Sequence, residues 1–200
     1  MSREPRAARS AEVTRKTGET EVEVSIRLDG SGDADVESGL GFLDHMLTTF
    51  VKHAGFDLRL RATGDLEVDD HHTVEDCAIV LGRALDEALG ERIGIGRFGW
   101  AYAPLDESLT RVVIDLSGRP WPEIALEFSR DTIGDVATEN IIHFFRSLAV
   151  EARMALHVDS IRGDNDHHKA ESAFKALALA LREAVGPRGA DVPSTKGSLR

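Results

Sequence analysis

Cysteine is almost absent from this chain: Cys77 is the single one among 200 residues. One cysteine cannot form an intrachain disulfide, so the sequence does not indicate a secreted, disulfide-stapled domain. Cys77 lies in an apolar helical pattern, and we interpret it as a small buried residue rather than a reactive thiol. The first ten residues are basic and polar without an apolar segment, which is not the pattern of a signal peptide. We therefore expect a cytoplasmic protein.

An excess of basic residues and long apolar runs are missing as well. The chain has 24 Lys and Arg against 35 Asp and Glu, so its formal net charge is −11. Because nucleic acids are polyanions, we expect no nucleic-acid partner. No apolar run reaches the roughly 20 residues that a membrane-spanning helix needs, so we expect no membrane partner. With 42% hydrophobic residues, the chain can form one domain or two closely packed halves.

Histidine is concentrated in two copies of one pattern, Asp-His-His-x-x-Glu, at residues 70–75 and 166–171. Four of the eight histidines lie in these copies, which begin 96 residues apart. His45 lies 26 residues before the first histidine pair, and His143 lies 24 residues before the second. A single histidine pair at a helix start is usually a surface feature whose aspartate caps the helix. Duplication of the pair with its glutamate and its upstream histidine instead favours metal binding.

The segments around the two copies also repeat. A short alternating stretch that ends in Gly-Asp precedes each copy, and an apolar helical pattern follows it and ends at Gly90 or at Gly186-Pro187. We predict strands near 11–17, 20–28, 57–63, 100–105, 109–117, 121–128 and 155–162. We predict helices near 42–55, 71–90, 138–153 and 167–185. The order strands, helix, strand, helix occurs twice, which predicts an α+β fold with sheets covered on one face by helices.

This repetition gives a division of the chain into four segments. Residues 1–10 form a flexible N-terminus, residues 11–92 and 93–187 form two half-domain repeats, and residues 188–200 form a C-terminal tail. A repeat of this length is longer than the period of a solenoid, so we expect two half-domains in one compact domain rather than an array.

Helical spacing within each copy predicts two metal ions. His71 and Glu75 share a helix face, whereas His72 points about 100° away. The second copy has the same spacing, so one ion cannot use every ligand, but two ions related by pseudo-symmetry can. The candidate ligands are His45, His71, His72, Glu75, His143, His167, His168 and Glu171.

These donors limit the kind of metal. Equal division gives each ion three imidazoles and one carboxylate, which leaves two positions on a six-coordinate ion for water or substrate. Nitrogen and oxygen donors without thiolate are typical of Mn, Fe, Ni or Zn sites, and not of Ca or Mg sites. Spacing leaves open which histidine serves which ion, and whether both ions bind within one chain. The two remaining histidines, His53 and His157, lie outside the duplicated pattern, and we interpret them as structural.

Other candidate residues carry weaker signals. Arg97 and Arg119 lie beside glycines, where a guanidinium can reach a phosphate with two hydrogen bonds. The tail combines the hydroxyls of Ser194 and Thr195 with the ammonium of Lys196, which could also bind a phosphate. Glu19, from its pattern alone, is a hairpin-turn residue.

Seven motifs in a fixed order resemble the imidazoleglycerol-phosphate dehydratase family, over roughly residues 10–200. Gly41 and Pro193 depart from the residues usual in that family, and neither is a candidate ligand. The motifs are Arg15-x-Thr17-x-Glu19-Thr20, Phe42-Leu43-Asp44-His45-Met46-Leu47, His71-His72-Thr73-Val74-Glu75-Asp76, Asp115-Leu116-Ser117-Gly118-Arg119-Pro120, His143-Phe144-Phe145-x-Ser147-Leu148-Ala149, His167-His168-Lys169-Ala170-Glu171 and Ser194-Thr195-Lys196-Gly197.

The resemblance implies an internally duplicated fold in which four helices pack between two β-sheets. It implies two Mn²⁺ per chain and a homo-oligomer of twenty-four chains with metals at subunit interfaces. The implied reaction of histidine biosynthesis converts D-erythro-imidazoleglycerol phosphate to imidazoleacetol phosphate and water, through an imidazolate and a diazafulvene. Glu19 would be the general acid/base. The substrate would be bound by Arg97, Arg119, Lys175, Ser194, Thr195 and Lys196.

Two other functions are compatible with parts of the pattern. A dinuclear metallohydrolase acting on a small phosphorylated substrate usually contains more carboxylates than two glutamates beside six histidines. A non-catalytic metal-binding scaffold would leave Glu19 and the two arginines without a purpose. Product analysis separates the three, because a hydrolase releases phosphate, a dehydratase forms a ketone, and a scaffold turns nothing over.

Overall fold

The computed structural model describes residues 8–195, Gly197 and Leu199. Residues 1–7 of the predicted flexible segment and the candidate substrate-binding residue Lys196 lie outside the described residues. The first half comprises β1 (Ser10–Lys16), β2 (Thr20–Arg27), β3 (Ala34–Glu37), α1 (Gly41–Ala54), β4 (Asp57–Gly64) and α2 (His71–Leu89). The second comprises β5 (Phe98–Leu105), β6 (Ser108–Asp115), β7 (Trp121–Ala125), β8 (Thr132–Ile133), β9 (Val136–Ala137), α3 (Thr138–Glu151), β10 (Ala155–Arg162) and α4 (Asp166–Val185).

Both halves follow the same chain path. The first sheet has the strand order β1-β2-β4-β3, and the second has the corresponding order β5-β6-β10-β7. In each sheet three strands are antiparallel, and the edge strand pairs in parallel with its neighbour, β3 with β4 and β7 with β10. The parallel pairs are joined through α1 and α3, as parallel strands require a crossover connection. The predicted α+β class is confirmed, and this repeated topology is consistent with internal duplication.

The four helices pack between the two sheets. Strand β2 alternates buried and exposed residues, which places Val22, Val24 and Ile26 on the face that α2 covers. α2 also packs against α3, whereas α4 packs on β5 and β6 and against α1. Buried residues of both halves form one hydrophobic cluster. The helix pairs α1–α4 and α2–α3 therefore each join one half of the chain to the other. None of the described helices is long and apolar enough to cross a membrane.

Three short strands were not predicted. β3 has only four residues, Ala-Asp-Val-Glu, and two of them are acidic, so no apolar alternation marks it. β8 and β9 form a separate hairpin whose turn residue Asp135 accepts hydrogen bonds from the backbone N–H of Gly41 (2.6 Å) and Phe42 (3.0 Å). The hairpin of the second half therefore caps the first helix of the first half.

The outer faces of the two sheets differ in chemistry. On the first sheet the outward side chains form ion pairs, among them Arg61–Asp35 at 2.7 Å and Lys16–Glu21 at 2.6 Å. On the second sheet the outward side chains include four exposed aromatic rings, those of Phe98, Trp100, Tyr102 and Trp121. Two sheets of the same topology therefore present a charged surface and an aromatic surface.

Candidate metal centre

One group of potential metal ligands lies where α1 meets α4, and we call it the α1–α4 cluster. Nε2 of His167 lies 3.2 Å from Oε2 of Glu171, and Nε2 of His45 lies 3.4 Å from the same oxygen. The residues project from one turn of α4 and from the facing side of α1. One ligand atom from each residue lies within 4.8 Å of the others.

A second group with the same composition lies where α2 meets α3, and we call it the α2–α3 cluster. Oε1 of Glu75 is 2.9 Å from Nε2 of His143, and Oε2 of Glu75 is 3.9 Å from Nε2 of His71. The rings of His71 and His143 are stacked, with centroids 5.2 Å apart. The hydrogen bond between Nδ1 of His71 and Oδ1 of the buried Asn140, at 2.9 Å, leaves Nε2 of His71 toward the cluster.

Each cluster combines residues of both halves. His45 of the first half joins the glutamate and histidine of the second copy, and His143 of the second half joins those of the first copy. Sequence spacing left this assignment open. The packing of α1 on α4 and of α3 on α2 decides it, because an upstream histidine can only meet ligands on the helix that its own helix contacts.

The second histidine of each copy belongs to neither cluster. Nδ1 of His72 lies 3.0 Å from Oδ2 of Asp65, and its Nε2 lies 3.7 Å from Oε2 of Glu19. The hydrogen bond with Asp65 raises the pKa of His72. This arrangement follows from the helix, since adjacent residues diverge by about 100°.

His168 is held in the corresponding way. Its Nδ1 lies 2.8 Å from Oε2 of Glu107, and the hydrogen bond with Glu107 raises the pKa of His168. Oε1 of Glu107 accepts from the backbone N–H of Asn165 at 2.9 Å and of Asp164 at 3.2 Å. These interactions, that of the Asn165 N–H first and that of His168 next, lower the pKa of Glu107 to about 2.

The aspartates before the histidine pairs do not cap their own helices. Asp69 accepts from the backbone N–H of His71 at 2.9 Å, and Asn165 accepts from that of His167 at 2.9 Å. Asp70 instead accepts from the backbone N–H of Ala137 at 2.8 Å. Asp166 likewise accepts from two backbone N–H groups of the β7–β8 segment, at 2.8 Å each. The two aspartates therefore fix the helix starts to the opposite half or to a neighbouring loop.

The donor set of each cluster fits a divalent transition metal. Two imidazole nitrogens and one carboxylate oxygen converge within 4.8 Å, and an ion that binds such donors at about 2.0–2.2 Å spans a comparable distance. No thiolate is available nearby, because Cys77 is fully buried and burial raises the pKa of its thiol. A six-coordinate ion held by three such donors would have three further coordination positions.

An open pocket of about 580 Å³ adjoins the α1–α4 cluster. His45 and Glu171 line it together with Lys175, whose Nζ is 2.7 Å from Oε1 of Glu171, and with Lys52 and His53. Burial is the main cause that lowers the pKa of His53, and the charge of Lys175 adds to it. His53, which the sequence indicates to be structural, lines this pocket, as do Thr48, Thr49 and Lys52 on the same face of α1.

The described phosphate-binding candidates other than Lys175, which are Arg97, Arg119, Ser194 and Thr195, lie apart from the clusters. Arg97 has a positive φ of 66°, and its Nε is 2.7 Å from Oδ1 of Asp115. Its Nη1 donates to the carbonyl of Pro193 at 2.8 Å, which places the tail with Ser194 and Thr195 beside this guanidinium. Arg119 is exposed in the loop between β6 and β7. Within the described part of the chain, neither arginine contacts a ligand of either cluster.

Glu19 lies at the tip of a rigid turn between β1 and β2, with 59% of its side chain exposed. The hydroxyl of Thr17 accepts from the backbone N–H of Glu19 at 3.1 Å and of Thr20 at 3.0 Å. Asp76, the residue after Glu75, bonds to the side chains of Arg15 and Thr20. These bonds explain the spacing of the Arg15-x-Thr17-x-Glu19-Thr20 motif, because three of its side chains tie the turn to itself and to α2.

Comparisons with known proteins bear on this arrangement. A sequence model described as imidazoleglycerol-phosphate dehydratase matches residues 38–181. The chain is similar to imidazoleglycerol-phosphate dehydratase of Methanothermobacter thermautotrophicus, with 56% identity over 186 residues, 93% of this chain and 95% of that relative. It is also similar to that of Salinibacter ruber, with 53% identity over 201 residues and 100% of both chains.

Two solved structures have the same fold. The dehydratase of Staphylococcus aureus has a TM-score of 0.81 and 38% identity, covering 89% of this chain and 99% of that chain. The Pyrococcus furiosus enzyme has a TM-score of 0.81 and 37% identity, covering 93% of this chain and 99% of that chain.

Proposed function

This chain belongs to the imidazoleglycerol-phosphate dehydratase family, and we propose on that premise how its residues carry out the dehydration in histidine biosynthesis. The substrate is D-erythro-imidazoleglycerol phosphate, and the products are imidazoleacetol phosphate and water. The observation that carries the proposal is the pair of equivalent His/His/Glu clusters, one in each helix pair.

Each cluster would hold one Mn²⁺, which gives two ions per chain. The ligands are His45, His167 and Glu171 in one site and His71, Glu75 and His143 in the other. His72 and His168 belong to neither cluster, and we propose that Nε2 of each completes a site of a neighbouring copy. Bound divalent metal would favour loss of the N–H proton from the substrate imidazole.

Proton transfer is assigned to Glu19. The substrate C–H has no adjacent carbonyl, so the imidazole ring must supply the electrons. An imidazolate can expel hydroxide from the adjacent side-chain carbon, which gives a diazafulvene. Loss of the neighbouring C–H as a proton restores the aromatic ring as an imidazolate and forms an enol. The ring nitrogen then regains a proton, the enol becomes the ketone, and the net loss is one water. Glu19 is exposed at the end of a fixed turn and can therefore accept this proton or transfer it to the leaving hydroxide.

Substrate binding is assigned to cationic and hydroxyl groups. Lys175 lies beside the α1–α4 cluster, so its ammonium can approach a phosphate held there. Arg97, Arg119 and the tail residues Ser194, Thr195 and Lys196 would bind the phosphate or orient the substrate. Because the two arginines do not contact the clusters of their own chain, we propose that a neighbouring chain brings them to the site.

The full assembly is proposed to be a homo-oligomer of twenty-four chains with metals at the subunit interfaces. His72 and His168 support metal-mediated contacts. The aromatic outer face of the second sheet supports a second kind of contact, since Trp100 and Trp121 are 57% and 62% exposed. Four half-exposed aromatic rings offer on the order of 400 Å² of surface that favours burial. The cytoplasmic location stays a prediction from the sequence.

A product assay tests the proposed function. Manganese-loaded protein is incubated with imidazoleglycerol phosphate, and the ketone and inorganic phosphate are both measured. Formation of the ketone without phosphate supports the dehydratase. Release of phosphate would instead support the dinuclear hydrolase, and absence of both products in metal-loaded protein contradicts the two enzymatic assignments.

A further inference from the structure

Two carboxylates outside the metal clusters contact the same ring atom, Nδ1, of the two histidines that belong to neither cluster. They are Asp65, beside His72, and Glu107, beside His168. Oδ2 of Asp65 lies 3.0 Å from Nδ1 of His72, and Oε2 of Glu107 lies 2.8 Å from Nδ1 of His168. A carboxylate can only accept, so in each pair Nδ1 carries the hydrogen, and in the neutral imidazole Nε2 keeps its lone pair. The nearest carboxylate oxygens to Nε2 are those of Glu19, 3.7 Å from His72, and of Asp106, 3.9 Å from His168. Both histidines are thus held in the tautomer that binds a metal through Nε2.

The two carboxylates come from different places in the repeated fold. Asp65 follows β4, whereas Glu107 lies in the turn between β5 and β6. The residue that corresponds to Asp65 after β10 is Asp164, which donates its backbone N–H to Glu107 instead. The equivalent contact is therefore made with non-equivalent residues, so it is not a simple consequence of the duplicated chain path.

We infer that Glu107 and Asp65 are positioning residues that set the tautomer and direction of His168 and His72 for metal sites completed between copies of the chain. The inference rests on the proposed function, in which these two histidines ligate metals of neighbouring copies. Hydrogen-bonded carboxylates behind a ligating imidazole fix its orientation and raise its donor strength.

The surroundings of the two carboxylates predict that they respond differently to amide substitution. Oε1 of Glu107 accepts from two backbone N–H groups. In a Glu107→Gln variant the amide oxygen must therefore take the position of Oε1, because an amide NH₂ group cannot accept these hydrogen bonds. The NH₂ group then donates to Nδ1 of His168 and favours the tautomer with hydrogen on Nε2. A protonated Nε2 has no lone pair with which to bind a metal. Both carboxylate oxygens of Asp65 face His72, at 3.2 and 3.0 Å, so the amide of Asp65→Asn can turn its oxygen to Nδ1.

The experiment measures Mn²⁺ binding by the full chain, as ions bound per chain across free Mn²⁺ concentrations, together with particle size from light scattering. We expect Glu107→Gln to weaken the affinity for about half of the bound Mn²⁺ by roughly 10–100-fold. Particle size should also fall when the Mn²⁺ concentration is limiting. Asp65→Asn should weaken binding less than Glu107→Gln. Asp57→Asn is the matched control, because Asp57 also accepts two backbone N–H groups, those of Ser31 and Asp33, but faces no histidine.

The outcomes separate this inference from the proposed function. If the parent chain does not bind two Mn²⁺, the metal assignment fails. If the parent binds two and Glu107→Gln binds both with the parent affinity, the positioning role is overturned while the proposed function stands. If Glu107→Gln and Asp57→Asn lose metal equally and in proportion to a lower unfolding temperature of the metal-free protein, Glu107 only stabilises its loop, and the inference is likewise overturned.

Discussion

At the scale of single residues, the site contains carboxylates with different roles set by their surroundings. Glu75 and Glu171 face two imidazoles each, whereas Glu107 and Asp65 stand behind one imidazole each. Glu19 differs from all of these, because it is exposed at the tip of a turn and 3.7 Å from the nearest imidazole nitrogen. Its exposure suits a group that must exchange a proton with a substrate.

Glu19→Gln should lower kcat by about 10²–10⁴-fold, because the amide keeps the shape of the side chain but cannot take up a proton. KM should change much less, since the phosphate and ring contacts remain. The measurement is steady-state kinetics on manganese-loaded protein, with Glu21→Gln as control, because Glu21 lies two residues away and pairs with the exposed Lys16. A kcat within a few-fold of the parent would remove Glu19 from the mechanism.

Asp57 gives a prediction about pH and stability. The backbone N–H of Ser31 is the largest cause that holds the pKa of Asp57 well below its ordinary value, and the N–H of Asp33 and the guanidinium of Arg27 add to it. A carboxyl whose pKa is lower in the folded state stabilises the fold above its ordinary pKa of about 3.9. That stabilisation is lost as pH falls toward the lower, folded-state pKa.

Asp57→Asn should therefore lower the unfolding temperature at pH 6, and its difference from the parent should shrink steadily below about pH 4. Thermal unfolding of the metal-free protein at several pH values checks this, so that metal release does not contribute. Glu67→Gln, at an exposed carboxylate between β4 and α2, is the control. A difference between Asp57→Asn and the parent that is independent of pH would contradict the role assigned to the charge.

At the scale of elements, the sequence predicted what periodicity controls. The four helices and the longer strands were found because their apolar residues repeat at helical or alternating spacing. β3 was not predicted, because its four residues, two of which are acidic, have no such pattern. The predicted strand near 121–128 ends at Ala125, just before the segment whose N–H groups bond to Asp166.

The site was predictable in composition but not in grouping. Helical spacing correctly separated His72 from the face of His71 and Glu75, because that separation is local. His45 of the first half lies with ligands of the second half, and His143 of the second half lies with ligands of the first. This pairing depends on which helices pack together, and no local spacing encodes it. The contact of Glu107 with His168 was not predicted for the same reason, since the two residues lie on different elements.

Close packing of α4 on the second sheet predicts a sensitive position at Gly99 in β5. A Cβ there would overlap the carbonyl oxygen of Ala180 and lie 2.9 Å from the backbone nitrogen of Ala184. Gly99→Ala should therefore push α4 away from β5 and lower the free energy of unfolding by about 1–3 kcal/mol or more. Because α4 carries His167 and Glu171, Mn²⁺ binding should weaken as well.

Chemical unfolding of the metal-free protein and Mn²⁺ titration measure the two effects of Gly99→Ala. Gly18→Ala is the control for unfolding, because a Cβ at Gly18 meets nothing within 4 Å and its φ is not positive. If Gly99→Ala unfolds like the parent, then α4 has room to adapt and the close contact does not position it.

At the scale of the whole molecule, two features point to contacts with other copies by different physical means. His72 and His168 offer coordination bonds, which require deprotonated ligands and disappear when metal is removed. The aromatic face of the second sheet offers apolar burial, which does not depend on metal. The net charge of −11 opposes association of identical chains, so contacts should use surfaces where charge is absent or paired. On the outer face of the second sheet, Arg111 pairs with Asp159 at 3.0 Å beside the aromatic rings.

Trp100→Glu should therefore reduce particle size even in manganese-loaded protein, and more strongly after chelation. Trp100 lies on the edge strand β5 between Phe98 and Tyr102 and opposite Val113, so a carboxylate there must lose its hydration when another chain covers these rings. Light scattering of the parent and the variant, with and without chelator, measures the effect. Thr14→Glu places the same charge on the exposed outer face of β1 and is the matched control. Equal particle sizes for Trp100→Glu and Thr14→Glu in both conditions would show that the aromatic face does not join copies, and that the metals alone must do so.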